Sequence, residues 1–359
     1  MNTRCCVKRF ILAAVAVHVL ASVAVAEVAN YWVDLSVVGG GTLSATSGWY
    51  QAGTSLAITA TPSAGWALYG WSGEVEEATA PGEALCLTVD RSRAITAHFA
   101  PVRHVSTTGN NANDGLTWGT ALASVATACA AFSGTGMVLV AEGVYTNATE
   151  LTITYPIRLV SSNGWEHTTL TLNPAASGKR LLTLNHAGAA VCGFTLTGGL
   201  LGGYYLKGSG AQILAGTVMD CRITGNSDGK DKNNTCGTGV AVLSANSLAI
   251  RCVIDNNNAT SNPRGGGVYV SGGGRIKNCL IADNVANYGG GVYFDGGGTI
   301  RNCTIAGNTA ATTGGGLDVG ITVRASRLKT ASSTVTSRTT TPAPARRTGT
   351  ERIPPPLRP

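Results

Sequence analysis

Charge is scarce in this chain. Asp, Glu, Lys and Arg together make up 13% of its 359 residues, about half the usual share. Methionine (3) and phenylalanine (5) are few, and strong helix-forming stretches are rare. That balance is wrong for a helical enzyme and suits an all-β, turn-rich repeat protein, in keeping with its 48 glycines. Cys-x-x-Cys does not occur, and His98, His104, His167 and His186 lie far in sequence from paired cysteines, which argues against a zinc site. No phosphate-binding loop is present. Beyond residue 26 no segment is long and apolar enough to span a bilayer. The net charge of +7 misleads. Residues 1–26 carry three cations and residues 321–359 carry eight against one Glu, which leaves the 27–320 body at −3. A basic nucleic-acid footprint is missing from that body, so no nucleic-acid partner is expected.

What is present begins with a leader. Arg4, Lys8 and Arg9 precede an apolar run from Phe10 to Ala26 that closes on Ala24-Val25-Ala26, a small-x-small cleavage site. Residues 1–26 read as a signal peptide, so export to the cell surface or beyond is expected. Cys5 and Cys6 lie before the run, whereas a lipid-anchoring cysteine would follow it.

Residues 30–100 alternate apolar and polar side chains in short runs, such as Leu35/Val37, Leu56/Ile58, Leu85/Leu87/Val89 and Ile95/Ala97/Phe99, separated by Gly and Pro clusters. This predicts a small β domain. Its wording includes Ser47-Gly48-Trp49-Tyr50, Ala60-Thr61-Pro62-Ser63-Ala64-Gly65-Trp66, Gly70-Trp71-Ser72-Gly73 and Ala97-His98-Phe99-Ala100. In these motifs the region resembles the divergent B-repeat of internalin-type bacterial surface proteins, which implies a stalk or spacer module. Trp49, Trp66 and Trp71 are expected to pack in its core.

Residues 102–320 repeat themselves. Gly265-Gly266-Gly267-Val268-Tyr269-Val270 recurs from Gly289 and from Gly314, with a weaker copy from Gly237, at steps of 28, 24 and 25 residues. A second motif keeps pace, with Cys221, Cys252, Cys279 and Cys303 each followed five residues later by Asn226, Asn257, Asn284 or Asn308. Cys192-Gly193-Phe194 reads as an earlier copy. A unit of about 25 residues cannot bury an apolar face alone, but stacked units can. Leucine-rich repeats and propeller blades have the wrong spacing. The expected fold is therefore all-β, a right-handed parallel β-helix of roughly seven coils after the small β-rich repeat domain. Strand parity sends Val268 and Val270 inward and Tyr269 outward, and likewise at Val292, Tyr293 and Phe294. The polar residue before each Cys sits at a corner. Each repeated Asn suits a left-handed turn with its amide in a ladder.

An Ala-rich helix over 121–132 is expected as an N-terminal cap. The run 106–118, ending Asn113-Asp114-Gly115-Leu116-Thr117-Trp118, and the later Val138-Leu139-Val140-Ala141-Glu142-Gly143-Val144-Tyr145 resemble the opening of the pectin-lyase-like superfamily. The Gly and Cys repeats resemble its adhesin-like members. Residues 321–359 lose the repeat and read as a disordered basic Ser/Thr/Pro tail, either a frameshift product or a linker to a surface polymer.

No catalytic residue is assigned. The Asp residues are scattered, and glycoside hydrolysis needs two carboxyls at a fixed separation. Arg275-Ile276-Lys277 spells a polygalacturonase tripeptide but aligns with Thr299-Ile300-Arg301, an ordinary strand. Asp255 and Asp283 are a weaker candidate pair. No cofactor is expected. Calcium is the one candidate ion, at Asp228 and Asp231 in the loop 226–234, with Asn111, Asn113 and Asp114 a second oxygen cluster. For the column of Cys192, Cys221, Cys252, Cys279 and Cys303, disulfides and a reduced ladder are both open; parallel Cβ vectors favour the ladder. Tyr269 and Tyr293 are the ligand-binding candidates, as outward rings able to stack on sugars. The expectation is a secreted or surface-displayed, adhesin-like binder of polysaccharide or another surface ligand. The alternatives are a lyase or glycosidase acting on acidic polysaccharide, and a remnant of a longer surface protein.

Overall fold

The computed structural model describes residues 28–75, 84–174, 178–202, 206–228, 236–259 and 263–320, with the backbone of 329–331 and 334–339. The expected leader over 1–26 lies outside the described residues.

The small domain is a twisted sheet in the order Gly48–Gln51, Asn30–Val38, Arg93–Val105, Trp66–Gly73. Only the central pairing, Asn30–Val38 with Arg93–Val105, is parallel. Alternation drives it: Val33, Ile95, Ala97 and Phe99 turn inward and are buried, while Asp34, Ser36 and Ala94 face out. Strand Arg93–Val105 does not end with this domain. Past Pro101 it pairs in parallel with Gly136–Val140, Val102 opposite Met137 and Val105 opposite Val140. One strand therefore serves both units, and the expected boundary at 100–102 falls inside it.

From Gly136 the chain coils into a parallel β-solenoid of about six turns. One column of strands runs Gly143–Asn147, Thr168–Leu172, Thr195–Thr197, Arg222–Thr224, Val253–Asp255, Leu280–Ala282 and Thr304–Thr313. A second holds Val240–Val242, Val268–Ser271, Val292–Asp295 and Leu317–Val319 in parallel register. The third holds Ser247–Ile250, Gly274–Lys277 and Gly298–Arg301. The predicted parity holds. Val240, Val242, Val268, Val270, Val292 and Phe294 are fully buried in one continuous core, with Leu317 and Val319 packed against its far end. Pairing continues past residue 320, because Lys329–Ala331 joins Gly298–Arg301 and Thr334–Thr339 joins Thr304–Thr313. The helix expected over 121–132 is the shorter Val125–Ala130, capped by Ser124 and burying Val125, Ala128 and Cys129.

Two polar columns specify the corners. Cys221, Cys252, Cys279 and Cys303 stack inside the core. The Cys252 N–H donates to Cys279 Sγ at 3.5 Å and the Cys279 N–H to Cys303 Sγ at 3.4 Å. Each thiol donates to the carbonyl two residues before it, as Cys221 does to Met219 at 3.1 Å. Cys192 stands elsewhere. It pairs with Met219 and packs with Ile250 in a separate cluster, while Phe194 occupies the level of Cys221. The reason is the corner. Asp220, Arg251, Asn278 and Asn302 are left-handed at φ 51–54°, and the matching residue one coil earlier is Gly193 at φ 80°. Cys192 therefore precedes the turn that the other four follow.

The asparagines form the second column. Asn226, Asn257, Asn284 and Asn308 are buried, and the Nδ2 of each of the first three donates to the next Oδ1 at 2.9 Å. The left-handed residue is the one before: Gly225, Asn256, Asp283 and Gly307 at φ 52–66°. The turn and the ladder are thus carried by neighbouring residues rather than by one. Gly239, Gly267 and Gly291 pack on this ladder. A Cβ on Gly267 would stand 2.7 Å from the Gly291 carbonyl oxygen and 2.8 Å from Asn284 Nδ2, so no larger residue fits.

The thiols make a simple test. Cys86 is exposed, and the thiols of Cys129, Cys192, Cys221, Cys252, Cys279 and Cys303 are buried without bridges. Burial raises the Cys221 thiol and pushes Cys129 and Cys192 up to about 12, far from the reactive thiolate range. The hydrogen bond with Cys279 instead lowers Cys303 to about 7, and only its burial at 2% exposure shields it. Under native conditions a thiol reagent should modify Cys86 rapidly and the core column only after unfolding. A chain mass that rises on reduction would instead reveal disulfides.

Candidate functional site

Tyr269 and Tyr293 point away from the solenoid interior, as parity predicts, but they are not open. Tyr269 is 2% exposed and Tyr293 7%. Their rings are parallel within 7° at 6.0 Å and pack with Cys236, Ala241, Leu243 and Tyr288. A fourth set of bridges, Lys207 to Cys236, Cys236 to Arg264 and Arg264 to Tyr288, lays backbone across them. The Lys207 ammonium lies 4.8 Å from the Tyr269 ring centre and the Arg264 guanidinium 5.6 Å from that of Tyr293. The Tyr269 hydroxyl donates to Asp295. Burial pushes both phenols above their ordinary range. This corrects the expectation of open rings: the pair is a second, outer core under a cationic cover.

Asp228 is also buried, at 2%, in a short pairing with Leu201. Asp231 lies outside the described residues. Among the described residues no three acidic, His or Cys side chains gather as a metal cluster. Gly225-Asn226-Ser227-Asp228-Gly229 spells the pattern of a serine nucleophile elbow. Ser227, however, pairs with Leu200 in a parallel strand and its hydroxyl donates to the Asp228 carbonyl at 3.1 Å, not at the strand-to-helix turn that chemistry needs. In the other oxygen cluster, Asn111 Oδ1 accepts from the N–H groups of Ala123 and Ser124, and Asn113 Nδ2 donates to the Ala121 carbonyl, so both hold the approach to the helix.

Three carboxylates of the solenoid are held by arginines. Asp255 accepts from Arg222 Nε and Nη2 at 3.1 and 2.7 Å. Burial raises the Asp255 carboxyl, but the Arg222 hydrogen bonds outweigh it and hold the group below its ordinary value. Asp220 accepts from Arg251 in the same two-pronged way at 2.7 Å. Glu150 accepts from Arg180 and Thr183. Asp255 stands opposite Ala282, one step out of register with Asp283. The candidate Asp255 and Asp283 pair therefore does not face across a shared gap. Arg275 pairs with Thr299 and Ile276 with Ile300, the ordinary strand that the repeat predicts.

Open aromatic surface lies on the small domain. Trp32 and Trp49 are direct cross-strand partners, 40% and 69% exposed, and meet edge to face at 5.7 Å. Trp49 is thus not a core residue, contrary to expectation. By strand parity the same sheet face carries Asp34, Ser36, Thr96, Ser72 and His98. Ser47 donates to Asp34 at 3.1 Å, Ser36 and Thr96 share a hydroxyl hydrogen bond at 2.7 Å, and Ser72 Oγ meets His98 Nε2 at 2.6 Å. At the far end the face opens into a cleft of about 600 Å³ against the first coils, walled by Trp66, Tyr69, Trp71 and Phe99 and floored by Arg158. Sequence spacing gives no hint of this cleft, because it joins residues 66–72 and 98–101 to residue 158.

Two family models match. Residues 31–103 match the divergent InlB B-repeat domain and residues 202–340 the right-handed β-helix region. The chain therefore carries a B-repeat domain followed by a right-handed parallel β-helix. No curated protein matches it. Among solved structures it is similar to pectate lyase Pel9A at 14% identity, covering 67% of this chain and 78% of that one with a TM-score of 0.42. It is also similar to the pectin methylesterase from Aspergillus niger at 14% identity, covering 67% and 90% with a TM-score of 0.36.

Proposed function

We propose that the chain is an exported bacterial surface protein that binds polysaccharide without cleaving it. The observation that carries this reading is the exposed pair Trp32 and Trp49 at the head of a hydroxyl-rich sheet face. Large rings left open at a cross-strand site add nothing to a core. Flat faces beside hydroxyl, carboxylate and imidazole groups suit sugar rings, which offer C–H faces and hydroxyl edges. The binding surface thus lies on the stalk domain and not on the tyrosine column. The solenoid supplies a rigid body, fused through strand Arg93–Val105. Export rests on the leader expected over 1–26. Among the described residues no helix is long and apolar enough to cross a membrane.

The non-catalytic half rests on what the acidic groups do. A glycosidase needs two carboxyls across one bond, and a calcium-dependent lyase needs several on one ion. Asp220, Asp255 and Glu150 are neutralised by arginines. A glycan panel incubated with the full mature chain tests both halves. Retention on a polysaccharide that Trp49→Ala weakens, with the polymer recovered intact, is expected. New reducing ends or unsaturated-product absorbance, with or without calcium, would establish the lyase or glycosidase alternative. Retention on no glycan would refute the binding reading.

A further inference from the structure

We infer that the cleft between the two units is a seat for an acidic sugar, with Arg158 as the group that recognises its negative charge. This rests on the reading of the chain as a polysaccharide binder and names the class of glycan.

Among the described residues the cleft holds one strong cation and no acid. Its lining includes Arg158 and His98 but neither Asp nor Glu. Arg158 differs in this from Arg180, Arg222 and Arg251 of the solenoid, each of which meets a carboxylate within 3.2 Å. Its guanidinium instead lies 4.5 Å from the centre of the Tyr69 ring and hydrogen-bonds the Tyr69 side chain, and among the described residues its buried Nε has no hydrogen-bond partner. A cation parked on an aromatic face, beside open space, keeps donors available for a planar anion.

The placement is built in. Arg158 sits on strand Ile157–Ser161, between Met137 and Ala190 of the neighbouring coils. Tyr69, which supports it, is tied to the solenoid by donating to the carbonyls of Pro156 and Gly188 at 3.0 and 2.7 Å. A Cβ at residue 70 would stand 2.9 Å from Arg158 Nη1, so Gly70, at φ 150°, leaves the room that the guanidinium uses. Trp66 and Trp71 wall the same space. The cavity of about 600 Å³ is in the range of a one- or two-ring ligand. It also terminates the sheet face that begins at Trp32 and Trp49, so a glycan chain lying along that face reaches Arg158 with one of its rings.

The experiment is calorimetric titration of the full mature chain with three oligosaccharides of equal length: neutral, uronate-bearing and sulfated. The uronate form should bind about tenfold or more tightly than the neutral one, as expected for a hydrogen-bonded ion pair in a partly enclosed site. Arg158→Gln should remove that preference, so that the uronate-bearing and neutral forms bind this variant equally. Arg158→Lys keeps the charge and should retain part of it. Thermal melting of each variant separates lost recognition from lost folding. Tightest binding of the sulfated form, abolished by Arg158→Gln, keeps the acidic-sugar site and assigns its charge to sulfate. Equal binding of all three, or a preference that survives Arg158→Gln, overturns the inference but leaves the polysaccharide reading standing. No binding of any of the three overturns both.

Discussion

Asn257→Ala is expected to destabilise the solenoid by about 3–5 kcal/mol, while Asn256→Gly, at the neighbouring position, is neutral or slightly stabilising. The difference follows from what each residue does. Asn257 is buried, and its Nδ2 donates to the Ile223 and Asp255 carbonyls and to Asn284 Oδ1 at 2.9–3.0 Å. Its Oδ1 accepts from the N–H and Nδ2 of Asn226 at 3.2 and 2.9 Å. Truncation strands donors and acceptors on both adjoining coils where water cannot reach, and each buried orphan costs about 1–3 kcal/mol. Asn256 is exposed and has φ 52°, a conformation glycine adopts without strain. Denaturant melts of the two variants check the contrast. Equal effects would mean that the ladder is not a structural spine.

Tyr269→Ala should cost a similar amount, about 3–5 kcal/mol, and Tyr269→Phe about 1 kcal/mol. The ring is almost wholly buried between Ala241 and Tyr293 in the stack. Its loss leaves a cavity beneath Lys207 and Arg264, while Phe loses only the hydrogen bond to Asp295. Glycan retention by the Phe variant should match that of the unmodified chain. A Tyr269→Ala variant that folds normally yet no longer binds glycan would return the binding site to the tyrosine column.

These two residues also mark what could be read from the sequence. The period of the Gly and Cys motifs was sufficient for the solenoid, and parity was sufficient for the faces of Val268, Tyr269 and Val270. The Asn ladder was legible because four copies share one offset. Cys192 was misplaced because Cys-x-Phe resembles Cys-x-Ile, whereas Gly193 is the corner and aligns with Asp220. The cover over Tyr269 and Tyr293 was illegible: Lys207, Cys236 and Arg264 belong to less regular segments between motifs, and their bridging is a property of stacking. Trp49 fails for a related reason. Alternation assigns it a face, but nothing local says whether that face is covered. Arg158 carries no motif at all, since its meaning depends on Tyr69, 89 positions away.

Hydrogen exchange of the native chain tests the central claim, that thiol and amide columns bind successive coils into one continuous interior. Backbone amides over 221–226, 252–257, 279–284 and 303–308 should exchange most slowly of all and at closely similar rates, because each stretch hydrogen-bonds to the next. Fast exchange in any internal one of these stretches, with its neighbours still protected, would contradict the stack.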